Sequence, residues 1–162
     1  MSTIRAFTPA DWPAVWSLLH ATFQSGDTYA FAPDSTEADI YAAWVGLPAA
    51  TYVACSADGQ VLGTYFIKAN EVGLGSHVCN CGYMTSAHAT GRGVARQMCL
   101  HSLGHAKARR YKAMQFNFVV STNERAVRLW ESLGFSVVGR LPLAFQHPTH
   151  GYVDALVMFQ PL

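Results

Sequence analysis

Charge and long apolar runs are both scarce in this chain of 162 residues. Asp, Glu, Lys and Arg make up only 13% of it, and the formal net charge is +1. A chain with so little excess charge lacks the basic surface that binds nucleic acids or anionic membranes. No apolar run approaches the roughly 18 residues that a membrane span requires. We therefore expect neither a nucleic-acid partner nor a membrane partner.

Cysteine is also rare, with four residues at Cys55, Cys79, Cys81 and Cys99. They lie inside apolar segments and do not form the pattern of a disulfide framework. His77 alternates with Cys79 and Cys81 on one predicted strand, but three ligands at such short spacing make a poor tetrahedron. We therefore expect no metal. The first residues lack the apolar core of a signal peptide, so the cytoplasm is the expected location.

The composition is that of a compact globular protein, with 51% hydrophobic residues. At this length we expect a single domain, residues 1–162, that buries roughly 70% of its unfolded surface. Alternating and helical apolar patterns predict the order β-α-α-β-β-β-α-β-α-β-β, a mixed α/β fold. The last two predicted strands, 136–143 and 153–159, are joined by a connection over 142–151.

The most informative segment is a glycine-rich turn between a predicted apolar strand and a helix predicted over 93–108. Gly91 and Gly93 let the backbone turn tightly and approach a ligand without a Cβ in the way. The first turn of a helix presents unpaired N–H groups and a positive dipole end, which favour phosphate. Arg92 and Arg96 add positive charge. The turn is neither a Walker loop nor a complete dinucleotide fingerprint, because the lysine and the third glycine are missing.

The segment 90–95 resembles the (Arg/Gln)-x-x-Gly-x-(Gly/Ala) signature of the GCN5-related N-acetyltransferases, the GNAT superfamily, whose backbone amides hold the pyrophosphate of acetyl-coenzyme A (acetyl-CoA). Thr90 stands where that family has Arg or Gln. A second block, 123–135, is similar to the family's Asn-x-x-Ala-x-x-Leu-Tyr-x-x-x-Gly-Phe segment, with Trp130 in place of the tyrosine. Its apolar residues predict a helix over 123–133. On these two motifs the chain is identified as a member of the superfamily.

The resemblance implies the GNAT fold: a mostly antiparallel seven-stranded sheet with helices on both faces and a central parallel pair of strands that splay apart. It also implies an N-acetyltransferase enzyme with acetyl-CoA as cosubstrate, lying in that gap. The residues expected to bind acetyl-CoA are Tyr83, Met84, Thr85, Gly91, Arg92, Gly93, Val94, Ala95, Arg96 and Asn123. The family often dimerises, so a homodimer is a further implication.

Proton transfer is where the chain departs from the family. The family often has a glutamate on the fourth strand as general base and the tyrosine of the second block as general acid. Here the fourth predicted strand has no carboxylate, and Trp130 has no acidic O–H. A thiolate whose conjugate thiol has a pKa of about 8.5 needs little protonation to leave. We expect direct attack by the acceptor amine, which either binds neutral or loses its proton to a water chain.

Asparagines offer a separate clue, because asparagine is rare in strands. Asn80 and Asn117 fall in the middle of the fourth and fifth predicted strands, where a structural hydrogen bond or a role in the reaction would explain them. Both are candidates for catalysis and acceptor binding. Together with Asn123, the Leu129-Trp130 pair and the segment 138–142, these asparagines resemble residues of the fungal acetyltransferases that act on azetidine-2-carboxylate and related cyclic imino acids. Further residues expected to bind the acceptor are Tyr29, Phe31 and His147.

The predicted function is transfer of an acetyl group to the amine of a small molecule, such as a cyclic imino acid or a toxic amino-acid analogue that the cell must detoxify. Another small amine, a drug or a peptide N-terminus is an alternative acceptor. Asp27 and Asp34 are the only acids in the loops expected near the pocket, which disfavours a polycationic acceptor. A non-catalytic acyl-CoA-binding module is the alternative from a different class, favoured by the missing glutamate and tyrosine.

Overall fold

The computed structural model describes residues 2–162. Seven strands, β1 to β7, cover Thr3–Ala6, Ala50–Cys55, Val61–Ala69, Val78–Thr85, Ala113–Val120, Ser136–His147 and Gly151–Pro161. Four α-helices, α1 to α4, cover Trp12–Ser25, Glu37–Tyr41, Val94–Ala108 and Glu124–Ser132. This order of strands and helices is the predicted one. No helix in the described part of the chain is long and apolar enough to cross a membrane.

The strands form one sheet in the order β1-β2-β3-β4-β5-β7-β6. Neighbouring strands are antiparallel except β4 and β5, which run parallel. The β4–β5 ladder consists of two residue pairs, Val78 with Ala113 and Cys79 with Met114. Beyond Cys79 and Met114 the two strands diverge. The predicted fold class, with a splayed parallel pair inside a mostly antiparallel sheet, is confirmed.

Each face of the sheet carries its own apolar cluster. On one face Leu19 and Phe23 of α1 pack with Phe66 of β3 and Met84 of β4. On the other face α3 and α4 pack over the sheet, with Trp130 among the buried residues of that cluster. Helices therefore cover both faces, and the gap between β4 and β5 lies between the two apolar layers.

Local sequence explains where the two helices beside the gap begin. Gly93 precedes α3 in the left-handed conformation, with φ of 77°. Asn123 precedes α4, and its side chain accepts a hydrogen bond from the Ala126 N–H. This is the standard role of an asparagine N-cap. Gly134 follows α4 with φ of 99°, a backbone conformation that favours glycine.

The C-terminal hairpin differs from the prediction. The segment expected as a connection, 142–151, is mostly strand, because β6 extends to His147 and β7 begins at Gly151. Pro142 marked a break in the sequence pattern, yet β6 is an edge strand, where proline is tolerated. The β6–β7 register shifts between Leu141 and Phe145, and Leu143 has φ of 51°. A β-bulge thus accommodates the proline without ending the strand.

Candidate active site

The divergence of β4 and β5 opens a groove of about 1080 Å³, here called the β4–β5 groove. Its walls come from β4, β5, the turn before α3, the first residues of α4 and the loop after α1. Because the β4–β5 ladder ends at Cys79 and Met114, the backbone groups of β4 that face β5 beyond this point have no partner on β5. Such a row of unpaired N–H and C=O groups can bind an extended ligand that contains amide bonds.

The turn before α3 forms one end of the groove. Gly91 and Gly93 have positive φ angles of 80° and 77°. Residues other than glycine rarely adopt this backbone conformation. A Cβ on Gly93 would meet no atom within 4 Å, so the backbone here borders open space. No side chain caps α3, so the N–H groups of its first turn are available to an anion.

Two arginines add positive charge at this end. Arg96, in the first turn of α3, and Arg125, in the first turn of α4, both line the groove. Arg125 Nη2 lies 3.5 Å from the position that a Cβ on Gly91 would occupy. Arg125 is not predicted from the sequence, because the family pattern leaves that position unspecified. Only the packing of α4 beside the glycine turn reveals its place.

The residues predicted to bind acetyl-CoA come together, with one exception. Those that line the groove are Tyr83, Met84, Thr85, Gly91, Gly93, Val94, Ala95, Arg96 and Asn123. Arg92 instead lines a separate cavity of about 340 Å³, together with Asp58. The side chain of Arg92 therefore belongs to a different surface, although the backbone of its turn borders the groove.

An aromatic wall flanks the groove on the α3–α4 side. Trp130 is 8% exposed, and its ring centroid lies 5.1 Å from that of Tyr83 and 5.2 Å from that of Phe116. The Tyr83 hydroxyl lies 2.6 Å from Ser102 Oγ, which itself donates to the Cys99 carbonyl. Tyr83 is therefore the donor in its bond to Ser102. Burial raises the pKa of the Tyr83 hydroxyl well above its usual value, so the group stays neutral.

Asn80 lies at the point where the strands part. It is the first β4 residue beyond the last ladder pair, and its Nδ2 donates to the Gln115 carbonyl of β5 at 2.9 Å. The side chain thus replaces a backbone hydrogen bond that the divergence removes, which explains an asparagine in mid-strand. Since Nδ2 is used in this bond, Oδ1 is the atom of Asn80 that can accept a hydrogen bond from a ligand in the groove.

Asn117 belongs to a chain of side-chain amides that starts at Gln115, the β5 residue whose carbonyl accepts the bond from Asn80. Gln115 Nε2 donates to Asn117 Oδ1 at 2.9 Å. Asn117 Nδ2 in turn donates to Asn70 Oδ1 at 2.6 Å. Asn117 lines the groove, but both ends of its amide already have protein partners. The two predicted asparagines are therefore joined in one network through Gln115. Asn80 keeps Oδ1 for a ligand, whereas both ends of the Asn117 amide are used within the protein.

Aromatic residues of the loop after α1 form the opposite end of the groove. Tyr29 and Phe31 stack with ring centroids 5.9 Å apart, and Phe66 of β3 also lines this end. The Tyr29 hydroxyl occupies the space where a Cβ on Gly82 would lie. Gly82 thus lets the Tyr29 ring pack against β4, and burial raises the pKa of its hydroxyl. The predicted acceptor residues Tyr29 and Phe31 do share the groove with Asn80.

His147 lies elsewhere, at the end of β6. Its Nδ1 accepts hydrogen bonds from the backbone N–H groups of Thr149 and His150, at 3.1 Å and 3.2 Å. These bonds shape the β6–β7 turn. The structure therefore gives His147 a local structural role and does not bring it to Asn80 and Tyr29, which the prediction grouped with it.

His77, Cys79 and Cys81, which the sequence placed on one predicted strand, differ in their exposure. Cys79 and Cys81 are buried, whereas His77 is exposed. Among residues 2–162, no group of three or more His, Cys, Asp and Glu side chains could hold a metal ion.

Solved structures share this architecture across nearly the whole chain. A GCN5-related N-acetyltransferase from Kribbella flavida is 42% identical, with a TM-score of 0.95 over 99% of this chain and 98% of that one. A phosphinothricin acetyltransferase from Sinorhizobium meliloti, solved in complex with acetyl-CoA, is 19% identical. Its TM-score is 0.87, covering 99% of this chain and 88% of that chain. At this lower identity, the second likeness concerns the fold alone.

Sequence comparison adds a fungal relative and a family. N-acetyltransferase aca1 of Schizosaccharomyces pombe is 36% identical over 99 residues, which are 60% of this chain and 47% of that protein. The chain thus matches about half the length of this relative. The acetyltransferase (GNAT) family matches residues 12–135, which include the glycine turn, both diverging strands and the second block. The chain belongs to the acetyltransferase (GNAT) family.

Proposed function

We propose that residues 1–162 form one acetyltransferase domain that moves an acetyl group from acetyl-CoA to the amine of a small molecule. The observation that carries this proposal is the β4–β5 groove. One end, here called the donor end, is the glycine turn at Gly91 and Gly93, which suits an anion. The other end, here called the acceptor end, is the aromatic pocket of Tyr29 and Phe31 with Asn80. A ligand that spans the groove places its phosphate end and its reactive end at chemically suited sites.

The donor end of the groove fits acetyl-CoA. The first-turn N–H groups of α3 suit a pyrophosphate, with Arg96 and Arg125 beside them. No Cβ on Gly91 or Gly93 blocks the approach of a phosphate oxygen. The unpaired backbone of β4 suits the two amides of a pantetheine arm, and Tyr83, Met84 and Thr85 lie along that path. Acetyl-CoA supplies an acetyl thioester, whose carbonyl carbon is the electrophile.

Asn80 is the side chain that we assign to the acceptor amine. Its Oδ1 can accept a hydrogen bond from the amine N–H and so orient the nitrogen lone pair toward the carbonyl carbon. Backbone N–H groups of β4 beyond Cys79 can stabilise the negative charge that develops on the carbonyl oxygen. Asn117 then holds the network in place, since both ends of its amide are occupied.

Direct transfer is favoured over an acetylated enzyme. Cys81 is the thiol that lines the groove, but burial raises its pKa well above the usual value. A thiol that remains protonated is a poor nucleophile. Among the described residues that line the groove, Asp27 is the one carboxylate, and it lies in the loop after α1. The acceptor therefore binds as the neutral amine or loses its proton to water.

The aromatic pocket supports a small, partly apolar acceptor. Stacked Tyr29 and Phe31 with Phe66 suit a ring or short aliphatic chain next to the amine. We propose that the acceptor is a cyclic imino acid or another amino-acid analogue, in line with the resemblance to the fungal enzymes, and that its acetylation serves detoxification. Four free buried cysteines are consistent with a reducing, cytoplasmic location.

The edge of the sheet supports a homodimer. β6 is an edge strand of twelve residues, along which Val137, Val138, Leu141 and Leu143 are exposed. Exposed apolar residues on an edge strand favour pairing with another chain. Size-exclusion chromatography with light scattering tests this part of the proposal, and a monomer at micromolar concentration would contradict it.

Thiol release from acetyl-CoA tests the function. The protein is mixed with acetyl-CoA and, in turn, azetidine-2-carboxylate, proline, an aminoglycoside, spermidine and a short peptide. We expect release above the no-acceptor rate with the small cyclic acids, and acetylated product by mass spectrometry. Tight acetyl-CoA binding without release for any amine would contradict the enzymatic proposal and favour a non-catalytic binding module.

A further inference from the structure

The amide network that begins in the groove ends at Asn70, the residue directly after β3, where its amide presents a pair of N–H donors. Asn70 Oδ1 accepts from Asn117 Nδ2 at 2.6 Å, so the oxygen of the Asn70 amide is already used. The Nδ2 of Asn70 is the part of this amide that can still bind a ligand, and it is a donor only. The direction of the hydrogen bonds thus presents N–H groups at this end of the network.

Lys68 adds a positive charge beside those donors. It is the Cα partner of Asn80 across the β3–β4 ladder and lies two residues before Asn70. Paired residues of neighbouring strands share a face of the sheet, so Lys68 and Asn80 lie on one face. Asn70 follows directly after the end of β3.

The surroundings of the Lys68 ammonium leave its charge unmatched. Its Nζ lies 5.7 Å from the ring centroid of Phe66, which lines the aromatic end of the groove. Within residues 2–162, no carboxylate lies within 4 Å of this ammonium. A half-buried cation beside an aromatic pocket, without an acidic partner, favours an anionic ligand.

Neither Lys68 nor Asn70 lines the groove itself, but each contacts a residue that does, Phe66 and Asn117 respectively. We infer that Lys68 and Asn70 form a carboxylate-binding subsite at the rim of the groove, next to its acceptor end, and that the acceptor carries a carboxylate next to its amine. This inference rests on the proposed function. A cation disfavours the ammonium form of an acceptor, so Lys68 is unsuited to the amine and suited to an acid group. Asn80 Oδ1, an acceptor, suits the amine N–H.

The spacing supports an α-amino or α-imino acid. Cβ atoms of paired residues on antiparallel strands lie about 4.5–5.5 Å apart. Side chains that begin so close can contact the amine and the carboxylate of one small molecule when the two groups are near neighbours. Lys68 would thus set the specificity of the enzyme, and Asn70 would position the carboxylate.

The test compares acceptors that differ only in the carboxylate: proline against pyrrolidine, and azetidine-2-carboxylate against azetidine. For the parent protein, we expect kcat/KM to favour the acid of each pair. In Lys68→Met this preference should fall about 10- to 100-fold, the value of a hydrogen bond to a charged group. Lys68→Arg should keep most of it. The matched control, Lys107→Met in the last turn of α3, should behave like the parent.

Binding is measured separately from turnover, by thermal shift with the same acceptor pairs in the presence of desulfo-coenzyme A. A larger thermal shift with proline than with pyrrolidine that is lost in Lys68→Met supports the subsite, whether or not the amine is acetylated. Binding of this kind without acetylation of any amine would contradict only the proposed function. Equal turnover of proline and pyrrolidine by the parent would overturn the subsite and leave the function standing. An unchanged preference in folded Lys68→Met would overturn the assignment to this lysine.

Discussion

The donor end of the β4–β5 groove is built mainly from backbone, whereas the acceptor end is built from side chains of four separate elements. At the donor end, two glycines and the first turn of α3 lie within one short segment. At the acceptor end, Tyr29, Phe66, Asn80 and Asn117 come from the loop after α1 and from β3, β4 and β5. The donor end is therefore encoded locally, and the acceptor end depends on tertiary contacts.

This contrast has a consequence for how each end tolerates change. Backbone N–H groups do not depend on side-chain identity, so Thr90 can replace the usual Arg or Gln of the motif without removing them. The acceptor end offers no such tolerance, because each amide of its network orients the next. We expect substitutions at the donor end to act through added bulk and those at the acceptor end through lost hydrogen bonds.

The largest expected effect is at the donor end. Gly93→Val adds a branched side chain in a left-handed conformation and fills the open space beside the turn. We expect acetyl-CoA affinity, measured by calorimetry, to fall by at least about 100-fold, or roughly 2.7 kcal/mol.

The matched control is Gly59→Val, in the turn between β2 and β3. Gly59 also has positive φ, 86°, and no atom lies within 4 Å of its Cβ position. This variant carries the same backbone strain outside the groove, so its acetyl-CoA affinity should equal that of the parent. Equal affinities in the two variants would show that the pyrophosphate does not bind at this turn.

The next effect is at the acceptor end. Asn80→Ala removes the amide oxygen that we assign to the amine, so kcat/KM for the acceptor should fall about 10- to 150-fold while acetyl-CoA affinity changes less. Asn117→Ala should lower kcat/KM for the acceptor less than Asn80→Ala does, since both ends of the Asn117 amide bond to other protein groups. A lower melting temperature with normal kinetics of the folded Asn80→Ala protein would instead mean that Asn80 only holds the two strands together.

A substitution at Asp11 lies outside both ends of the groove and tests stability alone. Asp11 accepts paired hydrogen bonds from Arg5 at 2.8 Å and 2.7 Å, and these, with bonds from Thr8, lower its pKa to about 2. Asp11→Asn should reduce the free energy of unfolding at pH 7 by about 1–2 kcal/mol. We expect less than the pKa shift alone implies, because the Arg5 side chain is 45% exposed.

The pH dependence gives the sign of this effect. The folded-state pKa lies below the ordinary value of about 3.9, so the stabilisation is complete above that pH and is lost as the pH falls through about 2. The difference in unfolding free energy between parent and Asp11→Asn, from urea titrations, should therefore shrink in that range. Kinetics at pH 7 should match the parent, and a loss of turnover would mean that this ion pair affects the groove.

The smallest effect is expected at the wall between the two ends. Trp130→Tyr restores the residue found at this position in the family motif, but a thiolate leaves without strong acid assistance. We expect kcat to change less than a few-fold. A gain of about 100-fold, typical of general acid catalysis, would show that protonation of the leaving group limits the reaction.

Several features could be predicted because they depend on residues close in sequence. The glycine turn and the helical spacing of apolar residues are local signals, so the ends of the helices predicted over 93–108 and 123–133 agree with α3 and α4 to within one residue. Both strands of the C-terminal hairpin were predicted, but their length was underestimated because the effect of Pro142 depends on strand order, which makes β6 an edge. Arg92 and Arg125 show the same limit, since the orientation of each side chain depends on which helix packs beside the turn.

The sequence by itself determined the family, the order of the elements and the backbone of the donor end, because glycine conformations and helix capping act within a few residues. Only the tertiary structure decided the acceptor end. The hydrogen bonds from Asn80 to Gln115 and from Asn117 to Asn70 join residues 35 and 47 positions apart. Which amide atoms remain for a ligand, and that Lys68 lies beside them, follows from strand pairing and divergence. A one-residue slip in register would turn those side chains to the other face of the sheet.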